Sequence, residues 1–534
     1  MPTTVLLHNG ILHTGAPHQP RAQALVIAGS RIAYVGDAQS AAAYARAHGP
    51  HETVDLAGAC VLPGLTDAHV HLGWYALGLA RVQAQTDTLE ACLARVAQHA
   101  TGTPAGRWIT GLGWDHNLWG GRFPTRQDLD RIAPAHPVSL IAKSGHATWV
   151  NSLALQRAGI ARDTADPSGG QIVRDADGQP TGILLETAAR LVQQAIPAPT
   201  VDEMVAALRR ALPAAHRLGL TGAHDMGDAT SFRALQRLEA EGALTLRVLE
   251  SIPLANLDAA IARAMHGAGL ESGGGSDRLR LGHVKLFADG ALGPRTAWML
   301  AAYDDAPEDA GIATLTIREL HDAVARAAGH GLACAIHAIG DAAVRAALDA
   351  LADLPPEQRP LRLPHRIEHA QLVHPADLPR FAALGVVASM QPIHATADID
   401  IAEQHWGERC RGAYAWASLL RAGARLALGS DCPVESLSPL AGIHAAVTRR
   451  RADGYPGPEG WQPQERIGVP EALAGYTSGA AHAAGRADQL GTLAPGKLAD
   501  LTILDRDPTA VAPDELLAIQ VLGTYVGGEL VWEG

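Results

Sequence analysis

Two histidines separated by one residue stand in the segment Asp67-Ala68-His69-Val70-His71, at the end of an apolar run. On a β-strand, residues two apart point to the same face, so both imidazoles can turn towards one metal ion. With 25 histidines in 534 residues, about one such pair is expected by chance. Its place after an apolar run and after Pro63-Gly64 makes this pair a candidate metal site.

Four further side chains that could bind a metal lie near the ends of later apolar runs. They are Lys285 in GHVKLFADG, His337 in LACAIHAIGD, His369 in RIEHAQL and Asp431 in RLALGSDCP. Taken singly, a hydrogen-bonded core histidine, a capping aspartate or a surface lysine explains each of them equally well. If the runs are parallel barrel strands, however, all of these residues lie on the rim where barrel enzymes carry their chemistry. Together they predict a divalent metal centre.

Lys285 is the most informative of these residues because its run, His283-Val284-Lys285-Leu286-Phe287, is apolar. Burial disfavours the charge of an ammonium group, and nearby divalent cations would repel it. A neutral amine can instead take up CO₂ and become a carbamate. We therefore expect a carboxylated Lys285 that acts as an anionic ligand between two metal ions.

The part of the chain that must position these residues runs from about 63 to 484. It alternates apolar runs with helical stretches rich in Ala, Leu and Arg, which predicts a parallel sheet covered by helices. Eight such runs are what a closed (β/α)₈ barrel needs. The candidate strands are VLPGLTDAHVH, LGLTGAHDM, LTLRVLESI, RLGHVKLFA, GLACAIHAI, HRIEHAQL, GVVASMQPI and RLALGSD. The long gap between the first two predicts an insertion subdomain over about 75–215.

Both ends of the chain have a sequence pattern that differs from that of residues 63–484. Residues 1–62 and 485–534 contain short strand-like runs broken by Gly and Asp, such as ALVIAGSRIAYVG and VLGTYVGGELVWEG. The two ends are therefore predicted to meet in one small β-sandwich beside a barrel domain of residues 63–484.

Charge and composition exclude several classes of protein. The net charge of −12 argues against a nucleic-acid surface, which needs a basic patch. No run approaches the ~18 apolar residues of a membrane span. The five cysteines are scattered without a C-x-x-C pair, which indicates a reducing compartment. Because the first residues do not have the pattern of a signal peptide, we expect a cytoplasmic protein. Its expected partner is a small molecule, and a homodimer is left open.

Longer motifs carry a specific resemblance. They are PGLTDAHVHL, GWDHNLWGGRFPTRQDLD, GHATWVNS, TGAHDMGD, VKLFADGALGPRTA, HAIGDAAV, RIEHAQLV, SMQPIHATAD, GSDCPVE and GKLADLTILD. From about residue 1 to 532 the chain resembles the YtcJ-like amidohydrolase-3 group of the amidohydrolase superfamily. It departs from the pattern at Ser144-Gly145-His146, where that group usually has Asp-Gly-His.

The resemblance implies a metal centre with assigned ligands. It implies that His69 and His71 hold a first metal, that His337 and His369 hold a second, and that carboxylated Lys285 bridges them. Asp431 would bind the first metal and shuttle a proton. Whether one or two ions bind is left open, with Zn²⁺ expected first and Mn²⁺ or Ni²⁺ as alternatives.

The activity that the resemblance implies is hydrolysis of an amide-type C–N bond by a metal-activated hydroxide, in an N-acyl, N-formyl or aryl amide. Deamination and the cleavage of an ester or a lactone on the same scaffold are alternatives. A barrel that only binds a partner is a third, against which the complete ligand set argues.

Other candidate residues are less distinctive. His146 and His394 are expected to act in catalysis or to contact the substrate. Asp67 and Asp341 are expected to orient ligand histidines, although local capping explains them equally well. Half of the ten tryptophans, Trp74, Trp108, Trp114, Trp119 and Trp149, lie in or near the insertion. Of these, Trp74, Trp114 and Trp149 are candidates to bind an aromatic or long apolar substrate, with the core of the insertion as the alternative.

Overall fold

The computed structural model describes residues 4–143, 146–265, 277–358 and 363–534. The chain divides into two compact units, Met1–Ala76 with Val201–Gly534 and Leu77–Thr200. The smaller unit falls within the range of about 75–215 predicted for the insertion. The larger unit contains the barrel and the strands from both ends of the chain.

Eight parallel strands, each hydrogen-bonded to the next, form the central sheet of the larger unit. In chain order they are β1 Leu65–Val70, β2 Leu220–Asp225, β3 Arg247–Pro253, β4 Leu279–Phe287, β5 Cys334–Ala338, β6 Arg366–His369, β7 Val387–Met390 and β8 Arg425–Leu428. Most of their residues are buried, as parallel barrel strands covered by helices require. All eight candidate strands predicted from the sequence are confirmed.

Two backbone hydrogen bonds connect the segment after β8 to β1. The N–H of Asp431 donates to the carbonyl of His69 at 2.7 Å, and the N–H of His71 donates to the carbonyl of Cys432 at 2.8 Å. These bonds bring the last strand of the sheet beside the first, and they place Asp431 next to the two histidines.

Helices alternate with the barrel strands or flank the sheets of the larger unit, and one of them, Leu72–Gly78, extends past its boundary at Ala76. They are Ala38–Ala47, Leu72–Gly78, Val201–Arg217, Ala229–Ala240, Leu257–Met265, Ile317–Gly329, Asp341–Ala352, Leu378–Leu384, Pro392–Ala397, Ile399–Trp406, Trp416–Arg421, Pro439–Thr448, Val469–Ala474 and Ala480–Ala483. The helix Ile317–Gly329 begins with a capping box, in which Thr316 and Glu319 satisfy each other's backbone N–H groups. Among the described residues, no helix is both long and apolar enough to cross a bilayer.

Strands from both ends of the chain form two further sheets. One contains Thr4–His8, Ala24–Ala28, Arg31–Gly36 and Glu52–Asp55, and the other contains Ile11–His13, Arg21–Ala22, Cys60–Pro63, Leu501–Leu504, Val521–Val526 and Glu529–Glu533. Leu7, Leu25, Val61, Leu501 and Ile503 belong to the buried apolar cluster shared by both sheets. This is the predicted β-sandwich of both termini; its boundaries at 62/63 and 484/485 stay predictions.

The smaller unit has its own sheet and core. The sheet contains Val82–Gln83, Ile109–Trp114, Val138–Ala142, Ala147–Val150, Gly170–Arg174 and Pro180–Glu186, and the helices are Leu89–Thr101, Arg126–Ile132, Ser152–Arg157 and Ala189–Gln193. The unit follows β1 in the chain, as predicted for the insertion. The fold is therefore a (β/α)₈ barrel with a terminal β-sandwich and an insertion after the first strand.

Candidate metal centre

The first group of candidate ligands joins the end of β1 to the segment after β8. Nε2 of His69 lies 3.4 Å from Oδ1 of Asp431, and Nε2 of His71 lies 3.2 Å from the same oxygen. One ligand atom from each of these residues lies within 4.8 Å of the others, which is close enough for all to hold one metal ion. Although β1 ends at Val70, both histidines converge as the sequence predicts.

A second group shares Asp431 with the first. It consists of His369, at the end of β6, with His394 and Asp431. Nε2 of His394 lies 3.2 Å from Oδ2 of Asp431. The ring of His337, on β5, lies 4.6 Å from the ring of His369 between centroids. The structure thus brings the four predicted histidine ligands and Asp431 together, with His394 beside them.

Three of these imidazoles are held through their Nδ1 atoms by neighbouring acceptors. Nδ1 of His69 lies 2.6 Å from Glu368, Nδ1 of His337 lies 3.1 Å from Asp289, and Nδ1 of His369 lies 2.8 Å from Oε1 of Gln391. Because carboxylate and amide oxygens accept hydrogen bonds, each Nδ1 carries the hydrogen. In a neutral ring this leaves a lone pair on Nε2, which is the state that a metal ligand needs.

The donor set fits a cation. Within the described part of the chain, Oδ1 of Asp431 is buried and has no hydrogen-bond partner. It faces the Nε2 lone pair of His69, so two acceptors oppose each other without a proton between them. A buried acceptor without a partner is costly. A divalent cation bound by these nitrogen and oxygen atoms would remove that cost.

The electrostatic environment supports the same arrangement. Burial opposes ionisation of Asp431, but its neighbours outweigh this effect, foremost the imidazole of His394 beside Oδ2, and the pKa of this carboxyl lies far below its usual range. Burial also lowers the pKa of His369 well below its usual value, and the nearby imidazole of His337 adds to this effect. The site therefore combines an anionic carboxylate with a neutral imidazole.

Lys285 lies on β4 and is buried. Burial lowers the pKa of its amine to about 8. Its Nζ lies 5.0 Å from the centre of the Phe287 ring. Lys285 and His71 line one cavity of about 370 Å³, so the lysine and the first ligand group face the same space.

Two of the candidate ligands have an unusual backbone. His369 has φ +70° and Asp431 has φ +59°, in the left-handed region that residues other than Gly rarely adopt. Such strain persists where surrounding structure enforces it, and it is concentrated at functional sites. Both candidate ligands therefore have the kind of backbone strain that is often found at functional sites.

Asp67 and Asp341, the two carboxylates predicted to orient ligand histidines, accept hydrogen bonds from backbone N–H groups, and this corrects the prediction. Asp341 accepts a hydrogen bond from the N–H of Leu300 at 2.8 Å, and it is Asp289 that holds His337. Asp67 accepts from the backbone N–H groups of His69 and Ser430, at 3.0 and 3.1 Å, so it fixes the chain and not an imidazole.

Sequence reasoning missed the three residues that hold the imidazoles: Glu368, Asp289 and Gln391. Each stands inside a motif already singled out, in RIEHAQLV, VKLFADGALGPRTA and SMQPIHATAD. That placement is the signal that could have found them. The sequence does not, however, show which side chains from different strands contact each other.

The remaining predicted residues lie in different places. Trp74 is 57% exposed and stacks on His71, with ring centroids 4.4 Å apart. Trp114 and Trp149 are fully buried in the core of the smaller unit, where they have no surface to offer a substrate, so they form core and not pocket. His146, also in the smaller unit, is exposed with Nδ1 3.2 Å from Glu186, and its catalytic role stays a prediction. Ser144 and Gly145 lie outside the described residues.

Comparison with known proteins shows the family to which the chain belongs. The amidohydrolase family model matches residues 52–532. The chain is 32% identical to the putative amidohydrolase YtcJ of Bacillus subtilis, over 98% of this chain and 99% of that protein. It is 33% identical to the N-substituted formamide deformylase of Arthrobacter pascens, over 99% and 98%. A solved metal-dependent hydrolase from Pyrococcus furiosus is 32% identical with a TM-score of 0.78, covering 95% of this chain and 100% of that one. The chain therefore belongs to the amidohydrolase family and is a metal-dependent hydrolase similar to YtcJ.

Proposed function

We propose that this hydrolase cleaves an amide-type C–N bond at the metal centre of the barrel. The observation that carries the proposal is that prepared ligands lie together in one site around His369 and Asp431. His69, His337 and His369 each have Nδ1 held by an acceptor, and Oδ1 of Asp431 is buried without a hydrogen-bond partner in the described chain. Ligands prepared in this way are typical of a site built for a metal.

The metal ligands in this proposal follow from their positions. His69, His71 and Asp431 would hold a first divalent ion, expected to be Zn²⁺, and His337 and His369 would hold a second. Carboxylated Lys285 would bridge the two, since it lies on β4 and shares a cavity with His71. A bound divalent ion polarises the substrate carbonyl and makes water a nucleophile near neutral pH.

The residues of the chain perform the remaining steps. Asp431 takes up the proton of the attacking water at a carboxylate oxygen and returns it to the leaving nitrogen, which departs poorly as an anion. His394, 3.2 Å from Oδ2, holds this carboxylate so that Oδ1 faces His69 and His71. Its ring is also placed to contact the substrate beside Asp431.

The choice of an amide rests on a relative. The similar protein from Arthrobacter pascens is a deformylase of N-substituted formamides, which are amides, and the similarity extends over almost the whole of both chains. A formamide presents a small acyl carbon to the metal and carries its variable group on nitrogen. Ester, lactone and deaminase activities use the same catalytic groups and are the alternatives that a substrate screen must separate from amide hydrolysis.

A substrate screen tests the proposal. The metal-loaded protein is assayed with N-alkyl formamides, N-acetyl amines and anilides, and in parallel with matched esters, lactones and aminopyrimidines. We expect amine release from at least one amide series, and loss of that activity in His71→Ala. Hydrolysis of esters or lactones alone, or release of ammonia alone, would overturn the assignment to amides.

A further inference from the structure

An apolar cavity adjoins the metal centre on the side of His71 and Lys285. Its volume is about 370 Å³, and its apolar lining consists of Met226, Pro253, Leu254, Ala255, Phe287 and Leu315. Met226 follows β2, Pro253 ends β3 and Phe287 ends β4. Three neighbouring strand ends therefore form one wall, which continues directly into the ligands of the metal.

Phe287 presents exposed apolar surface that a bound ligand could cover. It is 50% exposed, although its ring lies 5.1 Å from that of His337 between centroids. Apolar surface that is left open next to polar catalytic groups is typical of ligand-binding sites. A ligand that covers this ring would remove apolar area from water close to the reacting atoms.

The charges around the cavity restrict what can enter it. Among the described lining residues, Lys285 and His71 are the side chains that can carry a charge, and both are assigned to the metal. Behind Gly227 lies the buried carboxyl of Glu250, whose Oε1 would come within 2.5 Å of a Cβ atom at that position. A charged group in the cavity would lose its hydration without gaining a partner.

We propose that this cavity binds an uncharged apolar substituent of the substrate, an alkyl or arylalkyl group carried by the scissile amide. The inference rests on the proposed amide hydrolysis and names its substrate class. It assigns selectivity to Met226, Leu254, Phe287 and Leu315 of the barrel unit. The buried Trp114 and Trp149 have no part in it.

The test compares matched formamides on the metal-loaded protein. N-pentyl and N-(2-phenylethyl) formamide are compared with chains of similar length that end in a carboxylate or an ammonium group. We expect kcat/KM to be at least ~10-fold higher for the neutral pair. Leu254→Asp should remove this preference, mainly by raising KM for the neutral substrates. Ile317→Asp, at an exposed position outside the cavity, is the control and should leave the preference unchanged.

Binding separates the two proposals. Calorimetry on metal-loaded Asp431→Asn, with the same neutral and charged amides, measures occupancy of the cavity without turnover. Tighter binding of neutral than of charged amides, with this preference lost in Leu254→Asp, would support the cavity assignment. If the same preference is found but the wild type hydrolyses no amide, the proposed reaction is wrong and the cavity assignment stands. Turnover or binding that favours the charged amides, or that shows no preference, would overturn the cavity assignment.

Discussion

Glu368 accepts a hydrogen bond from Nδ1 of His69 at 2.6 Å, and both side chains are buried. Arg366 contacts the same carboxylate. Burial opposes ionisation of Glu368, but Arg366 and His69 outweigh it and hold the pKa of this carboxyl well below its usual range. Glu368 is thus an anion whose place in the barrel fixes the orientation of His69, with Nε2 towards Asp431.

Glu368→Gln should weaken metal binding. The substitution keeps the size of the side chain but removes the charge that orients His69 and balances Arg366. Loss of such an outer partner typically lowers metal affinity ~10- to 100-fold. Competition with a metallochromic chelator measures the affinity, and Glu308→Gln, at an exposed glutamate, is the matched control. Equal affinities in the wild type and in Glu368→Gln would show that Glu368 does not position His69.

The sequence predicts the rim of the barrel better than the contacts around it. His337 and His369 were found because each ends an apolar run, and the ends of parallel strands share one rim. The sequence predicts that Asp341 orients a ligand histidine, but the acceptor that holds His337 is a different carboxylate. It is Asp289, because β4 and β5 are neighbours and bring residues 48 apart into contact. Which side chains lie next to each other on neighbouring strands depends on the tertiary fold, and the periodicity of the sequence does not determine it.

The tryptophans show a second limit of sequence reasoning. An enrichment of aromatic residues is equally compatible with a pocket and with a core, because both bury apolar surface. Trp114 donates its indole N–H to the carbonyl of Leu140 at 2.8 Å, and Trp149 donates to that of Thr125 at 2.8 Å. Both are satisfied within the smaller unit. Packing, which composition does not reveal, decides between the two interpretations.

Asp431→Asn should lower kcat by ~10²-fold or more, because the amide cannot take up the proton of the attacking water. KM should change far less, since the side chain keeps its size. Steady-state kinetics at matched metal content, verified by elemental analysis of each preparation, separate proton transfer from loss of metal. Turnover at the rate of the wild type would rule out the assigned role.

Lys285→Ala should lose the bridging ligand, the second metal and nearly all activity. Two adjacent divalent ions repel each other, and the neutral imidazoles do not offset their charge, so an additional anion is needed between them. Added acetate or propionate should restore part of the activity. In the wild type, ¹³C-labelled bicarbonate should give a carbamate carbon signal that is absent from Lys285→Ala. An unmodified lysine that points away from the metals in a crystal structure would contradict the bridge.

Glu250 should make the protein less stable as the pH rises. Burial raises the pKa of its carboxyl well above 4.5, and the carboxylates of Asp225 and Asp228 add to this effect. Above pH 4.5 the unfolded chain releases this proton while the folded protein keeps it. The contribution of Glu250 to stability therefore declines from that pH until the raised pKa is passed.

Glu250→Gln should flatten this decline, because an amide can donate to Asp225 at every pH. The apparent midpoint of thermal unfolding, compared at about pH 5 and about pH 8, measures the difference. Glu308→Gln, again at an exposed site, should behave as the wild type does. An identical pH dependence in Glu250→Gln and the wild type would mean that Glu250 is ionised in the folded protein.

The dependence of amide hydrolysis on bound metal is the property from which all these assignments follow. Protein stripped with a chelator is titrated with Zn²⁺, and bound metal and amine release are measured on the same samples. We predict that activity is absent without metal and rises with bound Zn²⁺ up to roughly one to two ions per chain. His71→Ala should lose the first of these ions. Full amide hydrolysis by a preparation shown to be free of metal would contradict a catalytic centre built from His69, His71 and Asp431.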